Sequence, residues 1–326
     1  MPVKVGILSV GHVHAPSYVF CCQNSPDAEF IGLWDKDQEL STKFASEFGC
    51  QSWSDRDALL DTCDAVVIAG ENLDHADLIE LACSKGKAIL CEKPLAATQD
   101  QKDRIEKAVS NSGVLLMTAF PCPFSPAFES AVAKVESGEI GKVLSVCATN
   151  HGKCPGGWFI EKDKSGGGAM IDHVVHVSDL LRRLLKEEPS SVHAVTGNNM
   201  YGQGWDDTAM LTIDYPSGVF ATLDSSWSRP KSYKTWGDVT MKIVGEKGVI
   251  EVDLFIQSAD LYSNASGTHT LVGYGSNLDQ AMVDEFIRAV IANDKPKVTI
   301  QDGLAAAKLA LAGYQSAESG QPVSIA

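Results

Sequence analysis

Three groups of residues in this chain have types and spacing suited to chemistry. The first is Cys91-Glu92-Lys93-Pro94, directly after the apolar run Ala88-Ile89-Leu90. That run reads as the end of a buried strand, and the charged pair and the proline stand where the strand must stop. In an open parallel α/β sheet, ligands bind at the carboxyl ends of strands, and a lysine buried there has its pKa lowered by desolvation. The plain alternative for these four residues is a solvated turn. The second group is Ser165-Gly166-Gly167-Gly168-Ala169-Met170-Ile171-Asp172-His173-Val174-Val175-His176. Its glycines let backbone approach a ligand closely and lead into a predicted helix over about 169–185. Asp172 and His176 are four apart on that helix and share a face. An imidazole titrating near neutrality suits proton transfer. A helix cap with a surface His and Asp is the competing reading. The third group is Ser9-Val10-Gly11-His12-Val13-His14, a turn that follows an apolar strand and precedes a helix.

The elements that must position these groups alternate over the first 120 residues. Apolar runs at 3–10, 30–34, 65–69, 88–91 and 114–118 read as strands, and helical stretches at 17–24, 38–48, 73–84 and 98–111 separate them. Such alternation predicts a parallel sheet covered by helices on both faces, with right-handed crossovers. The rhythm breaks at Phe120-Pro121-Cys122-Pro123, a boundary marked by two prolines. Beyond it come a helix over 125–137, a strand over 143–150 and the glycine-rich loop 152–168. After the helix 169–185, strands at 191–195, 208–215, 219–226, 238–244 and 248–252 follow without helices between them. They predict an antiparallel or mixed sheet. Two helices, 277–293 and 302–319, end the pattern. The expected division is therefore 1–120 and 121–326.

The third group carries an eroded dinucleotide fingerprint. G-x-G-x-x-G maps onto residues 9–14, and only Gly11 survives, the glycine that lets backbone approach a pyrophosphate. Ser9 is small enough for the tight turn, whereas His14 is bulky at the third position. His12 and Val13 complete the turn, and the helix that follows presents its N-terminal amides to an anion. Asp35 ends the second strand at about the distance, roughly 20 residues, at which an acid meets the adenosine ribose. A carboxylate there argues for NAD; Lys36 beside it would meet a 2′-phosphate and leaves NADP open. A flavodoxin-like domain whose Asp35 is merely a strand-end acid is the alternative. Asn72 and His75, after the 65–69 strand, are expected near the nicotinamide half of the cofactor, with a structural cap role equally open for His75; Glu92 is expected to position Lys93 or the nicotinamide ribose. For His12 and His14 contact with cofactor or substrate is weighed against a satisfied turn, and no metal site is assigned.

Composition narrows the partners. The net charge of -15 disfavours nucleic acid, which needs clustered Lys and Arg. No apolar run approaches a membrane span of about 20 residues, and the first residues read as a strand rather than a leader. Nine cysteines without framework spacing suggest reduced thiols and a cytoplasmic protein.

Glu92-Lys93-Pro94, the glycine run and the Asp172-x-x-x-His176 helix together resemble the Gfo/Idh/MocA family over essentially the whole chain. The resemblance implies a Rossmann domain followed by an α+β domain with an open, mainly antiparallel sheet that commonly forms a homodimer or homotetramer interface. It implies an NAD(P)-dependent oxidoreductase acting on a secondary alcohol of a sugar, cyclitol or related polyol, with Lys93, Asp172 and His176 catalytic. His176 would take the hydroxyl proton, Lys93 would hold the reacting oxygen, and Asp172 would orient the imidazole or hydrogen-bond another substrate hydroxyl. Lys93, His151, Trp158, Asp172, His173 and His176 are the expected substrate contacts, although loop packing also accounts for Trp158. His173 and Val174 depart from the apolar-then-glycine pair of many members, so no single member's substrate carries over. An NAD-dependent glycoside hydrolase using transient oxidation, and an NAD-binding protein without turnover, are the other readings.

Overall fold

The computed structural model describes residues 1–273 and 275–325. By contact they form two units. The first comprises Met1–Pro121, Pro155–Val175 and Asp279–Leu311; the second comprises Cys122–Cys154, His176–Leu278 and the chain from Ala312 onward.

The first unit is built on five parallel strands, β1 (Val3–Leu8), β2 (Ala28–Trp34), β3 (Ala65–Ile68), β4 (Ala88–Cys91) and β5 (Leu116–Thr118). Their order is β2-β1-β3-β4-β5, so the direction of winding reverses between β1 and β3. That reversal is the switch point at which doubly wound sheets bind ligands. β3 is buried along its whole length, as expected of a central strand covered on both faces. Two of the crossover helices have side-chain caps: Asp37 accepts from the amides of Glu39 and Leu40, and Thr98 from that of Gln101. The helix Arg56–Thr62, capped by Asp55, is absent from the sequence reading. It is seven residues long and buries only Leu59 and Leu60, too little to show a helical period.

Residues 155–175 and 279–311 also belong to the first unit, which a cut at 120/121 does not describe. Close packing explains both returns. A Cβ on Gly166 would lie 2.5 Å from that of Ala97, and one on Gly303 would lie 2.2 Å from Thr118 Oγ1. Leu304 and Ala307 of the helix Ile300–Ser319 join Leu95, Ile105 and Val109 in one buried cluster.

The second unit holds seven strands, β6 (Val143–Gly152), β7 (Ser191–Gly197), β8 (Thr208–Asp214), β9 (Phe220–Ser226), β10 (Gly237–Gly245), β11 (Val249–Asp253) and, near the end of the chain, Val323–Ser324. All neighbours are antiparallel except β6 and β9. This is the open, mainly antiparallel sheet expected. A two-stranded hairpin, Ser258–Ser263 with Thr268–Gly273, follows it and was not anticipated. The helix Ala169–Leu185 has the predicted bounds; it begins in the first unit and continues in the second. Among the described residues no helix is long and apolar enough to cross a membrane.

Candidate active site

The turn after β1 is held from below by Asp35. Its Oδ2 accepts from Ser9 Oγ at 2.7 Å and from the Val10 amide at 2.8 Å, while Oδ1 accepts from the Asp37 amide at 2.8 Å. Asp35 is buried, so the acid expected at the ribose also braces the turn. Ser9 has φ 66°, the left-handed conformation that a fingerprint glycine adopts freely. Lys36 is gripped by Glu71 Oε2 at 2.7 Å and Asp74 Oδ2 at 2.6 Å. Val13 is exposed.

Trp158, expected among the substrate contacts, stands on the dinucleotide turn. Its Nε1 donates to the Gly11 carbonyl at 2.8 Å, and its ring stacks on Phe159 at 3.9 Å. The His12 ring lies 5.2 Å from that of Phe159. These residues suit a dinucleotide. The helix Ala15–Asn24 opens directly after the turn without a side-chain cap; the Ala15 and Tyr18 amides donate to the His12 and His14 carbonyls at 3.0 and 3.1 Å, and Pro16 has no N–H. His12 is buried and its Nε2 has no partner, a polar atom that a ligand would satisfy.

Glu92 is the hub beneath this turn. Its Oε1 accepts from His14 Nδ1 at 2.8 Å and from the Tyr18 hydroxyl, and lies 3.2 Å from His12 Nδ1; its Oε2 accepts from the Lys93 amide at 2.8 Å. Burial favours protonation of Glu92, but His12, His14 and Lys93 outweigh it and hold the carboxyl well below the usual range. Burial pushes His12 down to about 3, more than Glu92 raises it, so this ring is neutral. For His14 burial again lowers the pKa, yet Glu92 wins and the net shift is upward. His12, His14 and Glu92 bring one ligand atom each within 4.8 Å of one another, a grouping the assignment of no metal passed over. In this structure His14 Nδ1 and Glu92 Oε1 are hydrogen-bonded to each other, while His12 Nε2 has no partner. Tyr18 did not come from the sequence, and His14 was weighed there for contact with cofactor or substrate rather than for its bond to Glu92; the available signal for the pair was their i,i+4 spacing.

At the end of β4, Lys93 meets the glycine-led helix. Its Nζ donates to Asp172 Oδ1 at 2.6 Å and to the Asp172 carbonyl at 3.3 Å, and His173 Nε2 lies 3.2 Å from Asp172 Oδ2. All three side chains are buried. Burial opposes ionisation of Asp172, but Lys93 and His173 outweigh it and hold its pKa well below the usual value. Asn72 Nδ2 donates to the Ser165 carbonyl at 2.8 Å, and His75 Nδ1 lies 3.0 Å from the Pro94 carbonyl. Both therefore brace the loops carrying Asp172 and Lys93. His75 Nε2 is a second buried atom without a partner.

Two expected residues fall in the second unit. His176, one turn beyond Asp172 on the same helix, has Nδ1 3.9 Å from Cys122 Sγ. His151 has both ring nitrogens against carboxylates, Asp238 at 3.0 Å and Asp224 at 3.2 Å, with Arg229 also on Asp238. Burial lowers the His151 pKa, and the two acids raise it overall.

A switch-point turn built for a dinucleotide, with a buried lysine–carboxylate pair at the ligand edge of the same sheet, defines an NAD-binding oxidoreductase. Residues 3–120 match the oxidoreductase family's NAD-binding Rossmann fold, and residues 128–251 match the GFO/IDH/MocA C-terminal domain. The chain belongs to the Gfo/Idh/MocA family. It is 28% identical to inositol 2-dehydrogenase of Rhizobium meliloti (strain 1021) over 100% of both chains. It is also 28% identical to D-xylose 1-dehydrogenase (NADP(+)) 2 of Haloferax volcanii, over 98% of this chain and 99% of that one. The crystal structure of GenD2 from gentamicin A biosynthesis, in complex with NAD, shares the fold with a TM-score of 0.88 at 23% identity, covering 99% of this chain and 96% of that one.

Proposed function

We propose that this protein oxidises a secondary alcohol of a cyclitol, sugar or related polyol, or reduces the corresponding ketone. The observation that carries this reading is the buried pair of Lys93 and Asp172 at 2.6 Å, placed at the carboxyl end of β4, where such sheets bind ligands. The polyol class rests on the named activities of relatives such as the inositol dehydrogenase.

NAD, when bound, supplies the hydride acceptor. Lys93 donates to the reacting oxygen and stabilises the charge that develops on it. Asp172 keeps the lysine oriented, and His173 fixes the second carboxylate oxygen. His176 follows Asp172 by one helical turn and takes the hydroxyl proton as general base. Glu92 anchors the Lys93 backbone, and Asn72 and His75 hold the two loops in register.

The seven-stranded sheet supports a homo-oligomer, a dimer or a tetramer. Val195, Met210, Phe220 and Val249 lie on one of its faces by register and are exposed. All nine cysteines are free thiols, in keeping with a reducing compartment such as the cytoplasm.

The test is NADH formation by the purified protein over a panel of inositols, aldoses and polyols. Net NADH with at least one member supports the reading. Glycoside cleavage without net NADH, or NAD binding without turnover of any member, would replace it.

A further inference from the structure

We propose that Glu71 and Asp74 set the choice of dinucleotide, by neutralising Lys36 and repelling the 2′-phosphate of NADP. The proposal deepens the cofactor reading and rests on it.

Lys36 is the residue that would ordinarily favour NADP. It follows Asp35 at the end of β2, where the adenosine ribose is read in this type of fold, and a cation there can meet a 2′-phosphate. In this structure its ammonium is already taken. Glu71, in the turn after β3, and Asp74, in the 3-10 helix Asn72–Asp74, hold it at 2.7 and 2.6 Å. Because β1 lies between β2 and β3 in the sheet, this bridge crosses the carboxyl end of β1, beside the dinucleotide turn.

The charges decide the outcome. Two carboxylates on one ammonium leave the cluster net negative. Lys164 does not reverse this: it lies 3.7 Å from Glu71 and 2.8 Å from Glu161, which it also serves. Asp35 adds another carboxylate a residue away. A 2′-phosphate would have to pull Lys36 from two closer anions or sit against them, and like charges brought together repel. A 2′-hydroxyl carries no charge and meets no such barrier.

Asp35 alone cannot supply this discrimination as effectively. Three protein donors already occupy its carboxylate, which has about four lone-pair sites in all, and the group is buried. Glu71 and Asp74 retain partial exposure, at 16% and 32% of their side chains, and can face an arriving ligand. Specificity built from repulsion as well as attraction has this form. The family accommodates both cofactors, since one relative is named for NADP(+).

The experiment is isothermal titration of the wild type, Glu71→Gln, Asp74→Asn and the double variant with NAD, NADP and the fragment 2′,5′-ADP, with 5′-AMP as the unphosphorylated control. The double variant is expected to gain affinity for NADP and 2′,5′-ADP by about 10- to 100-fold, with each single variant intermediate. Affinities for NAD and 5′-AMP should change by no more than about twofold, which also reports an intact fold. Adding Lys36→Met to the double variant should abolish the gain. An unchanged 2′,5′-ADP affinity in the double variant, with NAD binding intact, overturns the role of Glu71 and Asp74 and leaves the cofactor site standing. A wild type that binds NADP as tightly as NAD overturns it too. Failure of the wild type to bind either dinucleotide removes the cofactor reading and this inference with it.

Discussion

At the scale of single residues the site consists of buried charges that hold one another. Lys93, Asp172 and Glu92 were singled out from position, because a charged pair at a strand end and an Asp-x-x-x-His helix are local patterns. Their partners were not recognisable. Tyr18 and His14 act on Glu92, 74 and 78 residues away in sequence, and nothing in a linear chain announces such a contact. Asp35 illustrates the same limit: its place was readable, its three internal donors were not. The neutral, buried His12 has a consequence for pH. Its pKa is about 3 in the folded protein against 6.5 in an unfolded chain. Between those values the unfolded state binds more protons, so stability must fall as pH drops below 6.5. The depressed carboxyls of Glu92 and Asp172 add their own loss further down, below the ordinary carboxylate range of about 4. The raised His14 acts in the other direction: its contribution is complete below 6.5 and is lost as pH rises through its folded value. Denaturant midpoints measured without dinucleotide should therefore decline from about pH 6.5 to 5, and more shallowly in His12→Gln. Equal slopes for both proteins over that interval would show that His12 does not resist protonation in the folded state.

At the scale of elements, the strands and helices with clear hydrophobic periods were legible almost residue by residue, including Ala169–Leu185. The short helix Arg56–Thr62 and the hairpin Ser258–Ser263 with Thr268–Gly273 were not. A two-turn helix shows too little period, and a hairpin outside the main sheet carries no strong core pattern. The sheet of the second unit has a further consequence. β9 lies fourth of seven in its order, yet Phe220 on that strand is 48% exposed. Val195 and Met210 are exposed on the same face. An apolar patch on a central strand marks an interaction surface, and a second copy of the chain is the occupant proposed. Light scattering after size exclusion should give a dimer or tetramer for the wild type and a smaller species for Phe220→Asp, with the NAD affinity of the first unit retained. A monomeric wild type at micromolar concentration would remove the sheet from the assembly.

At the scale of the whole molecule, the number of units and the character of each sheet were legible, because strand–helix alternation stops abruptly near Pro121. The return of 155–175 and 279–311 to the first unit was not legible, since it depends on close approaches such as Gly166 to Ala97. That return matters for function: it brings Trp158 to the Gly11 carbonyl, Ser165 to Asn72 and Asp172 to Lys93. A single contiguous N-terminal domain would contain half of each of these contacts. The account therefore stands on Lys93 and the carboxylate delivered to it from 79 residues along the chain. The most direct test compares wild type and Lys93→Met for NADH formation with the best polyol of the panel, with NAD affinity measured on the same preparations. Loss of the group that stabilises the developing charge should lower kcat by about 10²–10³-fold, with NAD still bound. A Lys93→Met protein that binds NAD and turns over at the wild-type rate would contradict the assignment of Lys93 as the catalytic centre.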